Sequence, residues 1–177
     1  VGFNLVRGIG AVRLQALLDH FGSLETAWQA SAGQLAGAGI PAKAVEQWIK
    51  IRAEVELERV WENLVKKNIQ VLTWESADYP RRLKEVDQCP PVLYLRGNVD
   101  FEDDAAVAVV GTRRASVYGK QIAIDLAEFL ARNGVTVVSG LARGVDGFAH
   151  EAALNAGGRT IAVLGSGVDL VYPPEHR

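Results

Sequence analysis

Methionine is absent from the 177 residues, and cysteine occurs once, as Cys89. A lone thiol makes neither an internal disulfide nor a multi-cysteine zinc site, which fits a reducing cytosol. Long hydrophobic runs are missing as well. The longest, Ala105–Val110, has six residues, against about 18 for a helix that crosses a bilayer. No charged-then-apolar leader opens the chain, so neither secretion nor a membrane span is expected. Nor does one sign of charge dominate. Nineteen Lys and Arg stand against 21 Asp and Glu, for a net −2, which excludes a wholesale basic nucleic-acid binder but not a local basic site. What remains, 49% hydrophobic and 23% charged, is the balance of a chain that builds a core rather than staying disordered. The length suits one domain or two small ones. With no initiating methionine, and a stop just after a strand-like segment at Tyr172-Pro-Pro-Glu-His-Arg177, the sequence is expected to be part of a longer protein.

Two regimes divide it. Residues 1–67 read as a small all-α domain, because Leu14, Leu17, Leu18 and then Val45, Trp48, Ile49 recur at helical spacing between Gly and Pro punctuation. The segments around Gly8-Ile9-Gly10 and Gly39-Ile40-Pro41 align at an offset of 31 residues, pairing Ile9 with Ile40, Leu14 with Val45, Leu17 with Trp48 and Leu18 with Ile49. This suggests a duplicated helical hairpin. One amphipathic helix is expected from about Ala42 to Lys67, with Glu54, Glu58, Glu62 and Lys66 on its polar face. From residue 68 the pattern changes. Ile69–Trp74 and Val92–Leu95 are short β-type runs around a Pro-interrupted stretch, and the domain boundary is set near Lys67, giving domains 1–67 and 68–177. After Ala105 the order is strand (Ala106–Val110), helix (Val117–Asn133), strand (Val135–Ser139), helix (Asp146–Ala156), strand (Thr160–Leu164). Strands apolar throughout, alternating with helices, predict a parallel sheet covered on both faces. The fold class is α/β: a Rossmann-like, doubly wound parallel sheet, truncated at its C-terminal side, behind a helical domain.

In such a sheet all strands end at one edge, so the turns beginning at Gly111, Ser139 and Gly165 converge on one crevice. The first two lead into helices, whose N-terminal amides attract anions, and carry Arg113, Arg114 and Arg143, which can fork onto phosphate. The acidic counterweight Asp100, Glu102, Asp103 and Asp104 precedes the first strand, at the opposite edge. No Walker loop is formed, since Gly119-Lys120 runs on into Gln121, and no GxGxxG occurs, so NTP hydrolysis and dinucleotide binding lose their warrant. Asp146 and His150, four apart, suit a metal pair or an acid/base pair. With no third ligand in register they are read as a helix cap and a locally bonded histidine. Ser139 and Ser166 lack a nucleophile elbow, and Cys89 is read as a small buried hydrophobe. The Gly8-Ile9-Gly10 turn fits a helix-hairpin-helix, in which helix amides can hold a DNA phosphate. Residues 1–75, however, carry 8 basic and 8 acidic side chains, and such hairpins also serve structure or protein binding.

The runs Val109-Val-Gly-Thr-Arg-Arg-Ala-Ser-Val-Tyr-Gly119, Val138-Ser-Gly-Leu-Ala-Arg-Gly-Val-Asp-Gly-Phe-Ala-His150 and Thr160-Ile-Ala-Val-Leu-Gly-Ser-Gly-Val-Asp-Leu-Val-Tyr-Pro173, with Asp78-Tyr-Pro80 and Pro90-Pro-Val-Leu-Tyr94 upstream, closely resemble the DNA-processing protein A family (DprA, also called Smf). The resemblance implies a bacterial, cytoplasmic, non-enzymatic protein that binds single-stranded DNA during natural transformation and loads the RecA recombinase onto it. It implies a sterile-alpha-motif-like helical domain before an extended Rossmann-like one, with no catalytic residue, cofactor or metal. By motif, Arg113, Arg114, Ser139, Gly140, Arg143 and Gly144 are expected to line the DNA site, with Lys120 as a weaker extension. Bases would find aromatic faces such as Tyr118 or Phe148 unless these are core. A homodimer is implied through residues beyond this chain, as is a RecA surface that this chain does not place. The rival reading is a nucleotide-processing enzyme of the nucleoside-monophosphate phosphoribohydrolase type, whose Pro-Gly-Gly-x-Gly-Thr loop and catalytic Glu are absent. A third is a protein-interaction scaffold built on the helical domain.

Overall fold

The computed structural model of the chain describes residues 1–98 and 105–176. It comprises two compact units, Val1–Leu95 and Arg96–Arg177. The expected acidic run at residues 100–104 lies outside the described residues. Contacts therefore divide the chain after Leu95, whereas its composition changes at Lys67, and the segment between these points groups with the helices.

In the first unit a 3-10 turn (Gly2–Leu5) precedes α1 (Ala11–Phe21), α2 (Leu24–Gln29), α3 (Ala32–Gly37), α4 (Ala42–Glu54) and α5 (Leu57–Lys66). The antiparallel pair β1 (Gln70–Thr73) and β2 (Val92–Leu95) follows, with the short α6 (Arg81–Lys84) between them. The 31-residue offset is structural. Ile9 and Ile40, Leu14 and Val45, Leu17 and Trp48 are all buried in one core. Gly8 and Gly39 both enter the left-handed region, at φ +87° and +79°, where a side chain is costly. Ser23 caps α2 by accepting from Thr26 N, and Ser31 with Gln34 forms a capping box on α3. Trp48 is fully buried, edge-on to Phe3 at 5.0 Å and 5.7 Å from Trp28.

Two expectations for this unit need correcting. The helix from Ala42 to Lys67 is broken: Val55 turns to extended backbone (φ −109°, ψ 117°) while its N–H still donates to Ile51 O. This separates Glu54 from the Glu58, Glu62, Lys66 row and lets α5 take its own course. Cys89 is only half-buried. It neighbours Tyr79, whose hydroxyl donates to Pro90 O at 2.6 Å. Burial first, and Cys89 second, push that phenol up to about 12.

In the second unit β3 (Ala106–Ala108), α7 (Val117–Arg132), β4 (Thr136–Ser139), α8 (Val145–Asn155) and β5 (Thr160–Ala162) alternate as expected. The sheet is parallel in the order β3-β4-β5, with Ala106 opposite Thr136 and Val137 opposite Thr160. Two successive crossovers in the same direction, right-handed as such connections are, place both helices on one face. Ala127, Ala131, Ala149, Ala152 and Ala153 let α7 and α8 approach each other over Val109 and Val137. The expected covering of both faces is not met. Val110 and Val163, which alternate onto the face away from Val109 and Val137, are exposed, the second at 63%, because one βαβαβ run supplies helices to one side only.

All four tryptophans, Trp28, Trp48, Trp61 and Trp74, lie in the first unit, so their fluorescence reports on it alone. Trp48→Ala should lower its stability by about 3–5 kcal/mol, measured by urea unfolding at the tryptophan emission. A loss under about 1 kcal/mol would show that Trp48 is not the centre of this core.

Candidate nucleic-acid interface

Parallel pairing puts the ends of β3 and β4 side by side, and the turns that follow them touch. Val145 N donates to Thr112 O at 3.2 Å. Gly144, at φ +81°, sits so close that a Cβ there would strike the Thr112 carbonyl and lie 2.7 Å from Arg113 C. Only glycine fits. Arg113 and Arg114 on the first turn and Arg143 on the second are all exposed. The structure thus brings the three arginines onto adjoining turns.

Other expected site residues turn inward. Ser139 is buried, and its hydroxyl donates to Val109 O at 2.5 Å, tying β4 to the end of β3 rather than facing a ligand. Gly140 N donates to Asp146 Oδ2 at 3.0 Å, and Gly111 N to Asp146 Oδ1 at 3.4 Å. Asp146 is therefore not the cap of its helix, as the sequence suggested. The N-cap is Gly144, with no side-chain bond, and the carboxylate reaches back across both turns instead. In the first turn of α8, Val145 N goes to Thr112 O and Gly147 N to Ala142 O at 3.0 Å. The amides expected to await an anion there are largely taken. At α7, Ser116 accepts from Gly119 N at 3.1 Å, while Val117 and Tyr118 stand exposed at 89% and 75%. Tyr118 is thus free of the core. Phe148 is partly buried and carries Lys120 Nζ 4.7 Å from its ring centre, a cation–π contact.

Two residues escaped sequence reasoning. Glu175 Oε1 accepts from Arg143 Nε at 2.6 Å, and Arg143 also lies 6.0 Å from the Tyr172 ring. The hydrogen bond to Glu175 raises the guanidinium above its ordinary value, and the same bond holds the Glu175 carboxyl below its own. Thr160 is the other. Its hydroxyl donates to Val137 O at 2.8 Å, so its oxygen must accept from His150 Nδ1, 2.6 Å away. In that pairing Nδ1 carries a proton. Its Nε2 is buried with no partner among the described residues. No signal in the chain announces either contact, since each partner lies on a different element.

Among the described residues no group of three or more His, Cys, Asp or Glu side chains could hold a metal, and no helix is long and apolar enough to cross a membrane.

Parallel strands alternating with helices, with the arginine-bearing turns at the carboxyl edge, define a Rossmann-like α/β unit. The chain belongs to the DNA recombination-mediator protein A family, whose model matches residues 70–177. It is 40% identical over its whole length to Protein Smf of Synechocystis sp., of which it covers 46%. Among solved structures, DNA processing protein A from Streptococcus pneumoniae superposes at TM-score 0.78 with 28% identity, over 99% of this chain and 60% of that one. DNA processing protein A from Helicobacter pylori, described for its single-stranded DNA binding mode, superposes at 0.52 with 38% identity over 60% of this chain and 48% of its own. The chain thus spans under half the length of the Synechocystis relative.

Burial is the main cause that lowers His150 below its ordinary 6.5, with His176 adding to it and Asp146 opposing. The unfolded chain accepts the proton that the folded one resists. Protons therefore favour unfolding, and the second unit should lose stability as pH falls through and below about 6.5. Thermal unfolding by far-UV circular dichroism between pH 7.5 and 5 measures this. His150→Asn, whose amide still donates to Thr160, should flatten the dependence, whereas an equally steep one would assign it to other groups.

Proposed function

We propose that this chain is the strand-holding part of a recombination mediator. It binds single-stranded DNA without reading sequence, in the bacterial cytoplasm, and serves RecA loading during natural transformation without catalysing a reaction of its own. One observation carries the reading: Arg113, Arg114 and Arg143 are exposed on two turns locked together by the Val145 N to Thr112 O bond. Guanidinium forks take phosphate oxygens in pairs. Phosphates recur at every nucleotide along a strand, so several cations on neighbouring turns suit a chain of phosphates better than one small ligand.

Phosphate capture in this reading falls to side chains and to the start of α7, because Asp146 and the turn carbonyls occupy most of the backbone groups around α8. Lys120 adds a cation one turn into α7. Tyr118 offers the free aromatic face on which a base can stack. Ser139, Gly140 and Gly144 act by shaping the turns. The helical domain at residues 1–67, with balanced charge, contributes less. Dimerisation and the RecA contact belong to the longer protein. Likeness to the Helicobacter pylori protein, whose structure is described for its single-stranded DNA binding mode, supports the choice of single strands over duplex.

Arg113→Ala and Arg143→Ala should each weaken binding of a labelled dT oligomer by about tenfold or more, a charged contact being worth roughly 1–3 kcal/mol. The logarithm of affinity should fall with the logarithm of salt at about −0.7 per phosphate, near −2 for three arginines and near −3 with Lys120. Unchanged affinity in the double variant, or release of free base from mononucleotides, would favour the nucleotide-processing reading.

Glu175 competes with phosphate for Arg143. Glu175→Gln should therefore tighten dT binding by about two- to fivefold, the scale of an exposed ion pair. Weaker binding in the same fluorescence titration would mean that Glu175 instead holds Arg143 in its binding pose.

A further inference from the structure

Asp146 is the second residue of α8 and only 7% exposed, and its two oxygens are spent on two different turns. Oδ1 accepts from the N–H of Gly111, which opens the turn after β3, and Oδ2 from that of Gly140, which opens the turn after β4. Both glycines are required by this approach. A Cβ on Gly140 would lie 2.8 Å from Asp146 Oδ2, and one on Gly111 would lie 2.7 Å from Val145 Cγ2, on the residue before Asp146. The glycines that look like openings for a phosphate are thus openings for α8 and its carboxylate. Between them the two bonds hold the start of Thr112-Arg113-Arg114 and the start of Leu141-Ala142-Arg143 to one rigid helix.

We infer that Asp146 is a positioning residue of the strand-binding site: its carboxylate, buried where an anion would otherwise sit, fixes the spacing of the two arginine-bearing turns so that Arg113, Arg114 and Arg143 converge on one phosphate backbone. The inference rests on the reading of these turns as the single-stranded DNA site. It assigns the phosphate contacts to arginine side chains, since the Gly111 and Gly140 amides already have their anion. It also separates Asp146 from a simple electrostatic competitor. A negative charge that merely repels phosphate would, when neutralised, leave a tighter site. A negative charge that builds the site would, when neutralised, leave a looser one. Asp146→Asn distinguishes them at nearly constant volume, because an amide keeps one acceptor oxygen and turns an NH2 donor toward the other glycine's N–H.

The test titrates the complete 177-residue chain into a fluorescein-labelled dT oligomer by anisotropy across a salt series, wild type beside Asp146→Asn. The variant should bind about tenfold more weakly, with a shallower log–log salt slope because fewer phosphates are engaged at once. A residue that only stabilises the fold would reduce the active fraction and leave the slope unchanged. Wild-type affinity and slope, or tighter binding, would overturn the inference. A second measurement needs neither DNA nor a folded variant: through-hydrogen-bond scalar couplings by NMR, from the Gly111 and Gly140 amide nitrogens to the Asp146 carboxylate carbon of the wild type. Both couplings should be present, and their absence would overturn the inference even if the variant fails to fold. A wild-type chain that shows both couplings and binds no dT would overturn the reading of the site while leaving the Asp146 geometry standing.

Discussion

One buried carboxylate shared between two backbone amides is the contact on which the second unit depends. Burying an anion is costly unless donors meet it, and hydrogen bonds to a charge are about twice as strong as neutral ones. Asp146 meets that condition with the Gly111 and Gly140 amides. Around it runs a set of polar contacts that join the same strands from below: Ser139 to Val109 O, Thr160 to Val137 O, and His150 to Thr160. Each links neighbouring strands, or a strand and the helix over it. The turns that carry the arginines are therefore built on a hydrogen-bonded polar layer, in which His150 Nε2 finds no partner among the described residues. Helix packing supplies the rest, through the alanine faces of α7 and α8.

A chain of net charge −2 can offer a phosphate site because charge acts locally. Over distances beyond a Debye length, about 8–10 Å at physiological salt, opposite charges elsewhere are largely screened. Exposed Arg113 and Arg114 beside Arg143 form the local field, and Glu175 is the acid set against it. Membership of the recombination-mediator family is consistent with that arrangement. The arginines are spread over two turns rather than focused on one pocket, which suits a polymer of phosphates.

What could be read in advance was whatever repeats along the chain. Apolar strands alternating with helices placed β3 to β5 and their helices to within a few residues, and the pairing of Ile9 with Ile40 and Leu17 with Trp48 marked positions that share one core. The arginine-bearing turns followed from the rule that parallel strands end together. Contacts without a period stayed hidden. Asp146 looked like the cap of its own helix because nothing local points from it to Gly111, 35 residues away, and Glu175 lies 32 residues beyond Arg143. Ser139 was expected at the site by motif, and nothing local says that its hydroxyl reaches Val109 O at the end of the neighbouring strand. The break at Val55 carries no Gly or Pro to announce it. The exposed face of the sheet was misread because apolar strands do not say how many helices are at hand to cover them.

A single strand lying over the turns that follow β3 and β4 would leave its mark on their backbone amides. NMR on the complete chain, titrated with a short dT oligomer, locates that mark directly. The expected footprint is residues 112–120 and 141–145, with α1 to α4 unmoved. A footprint centred on α1 to α4, with those two turns silent, would contradict it.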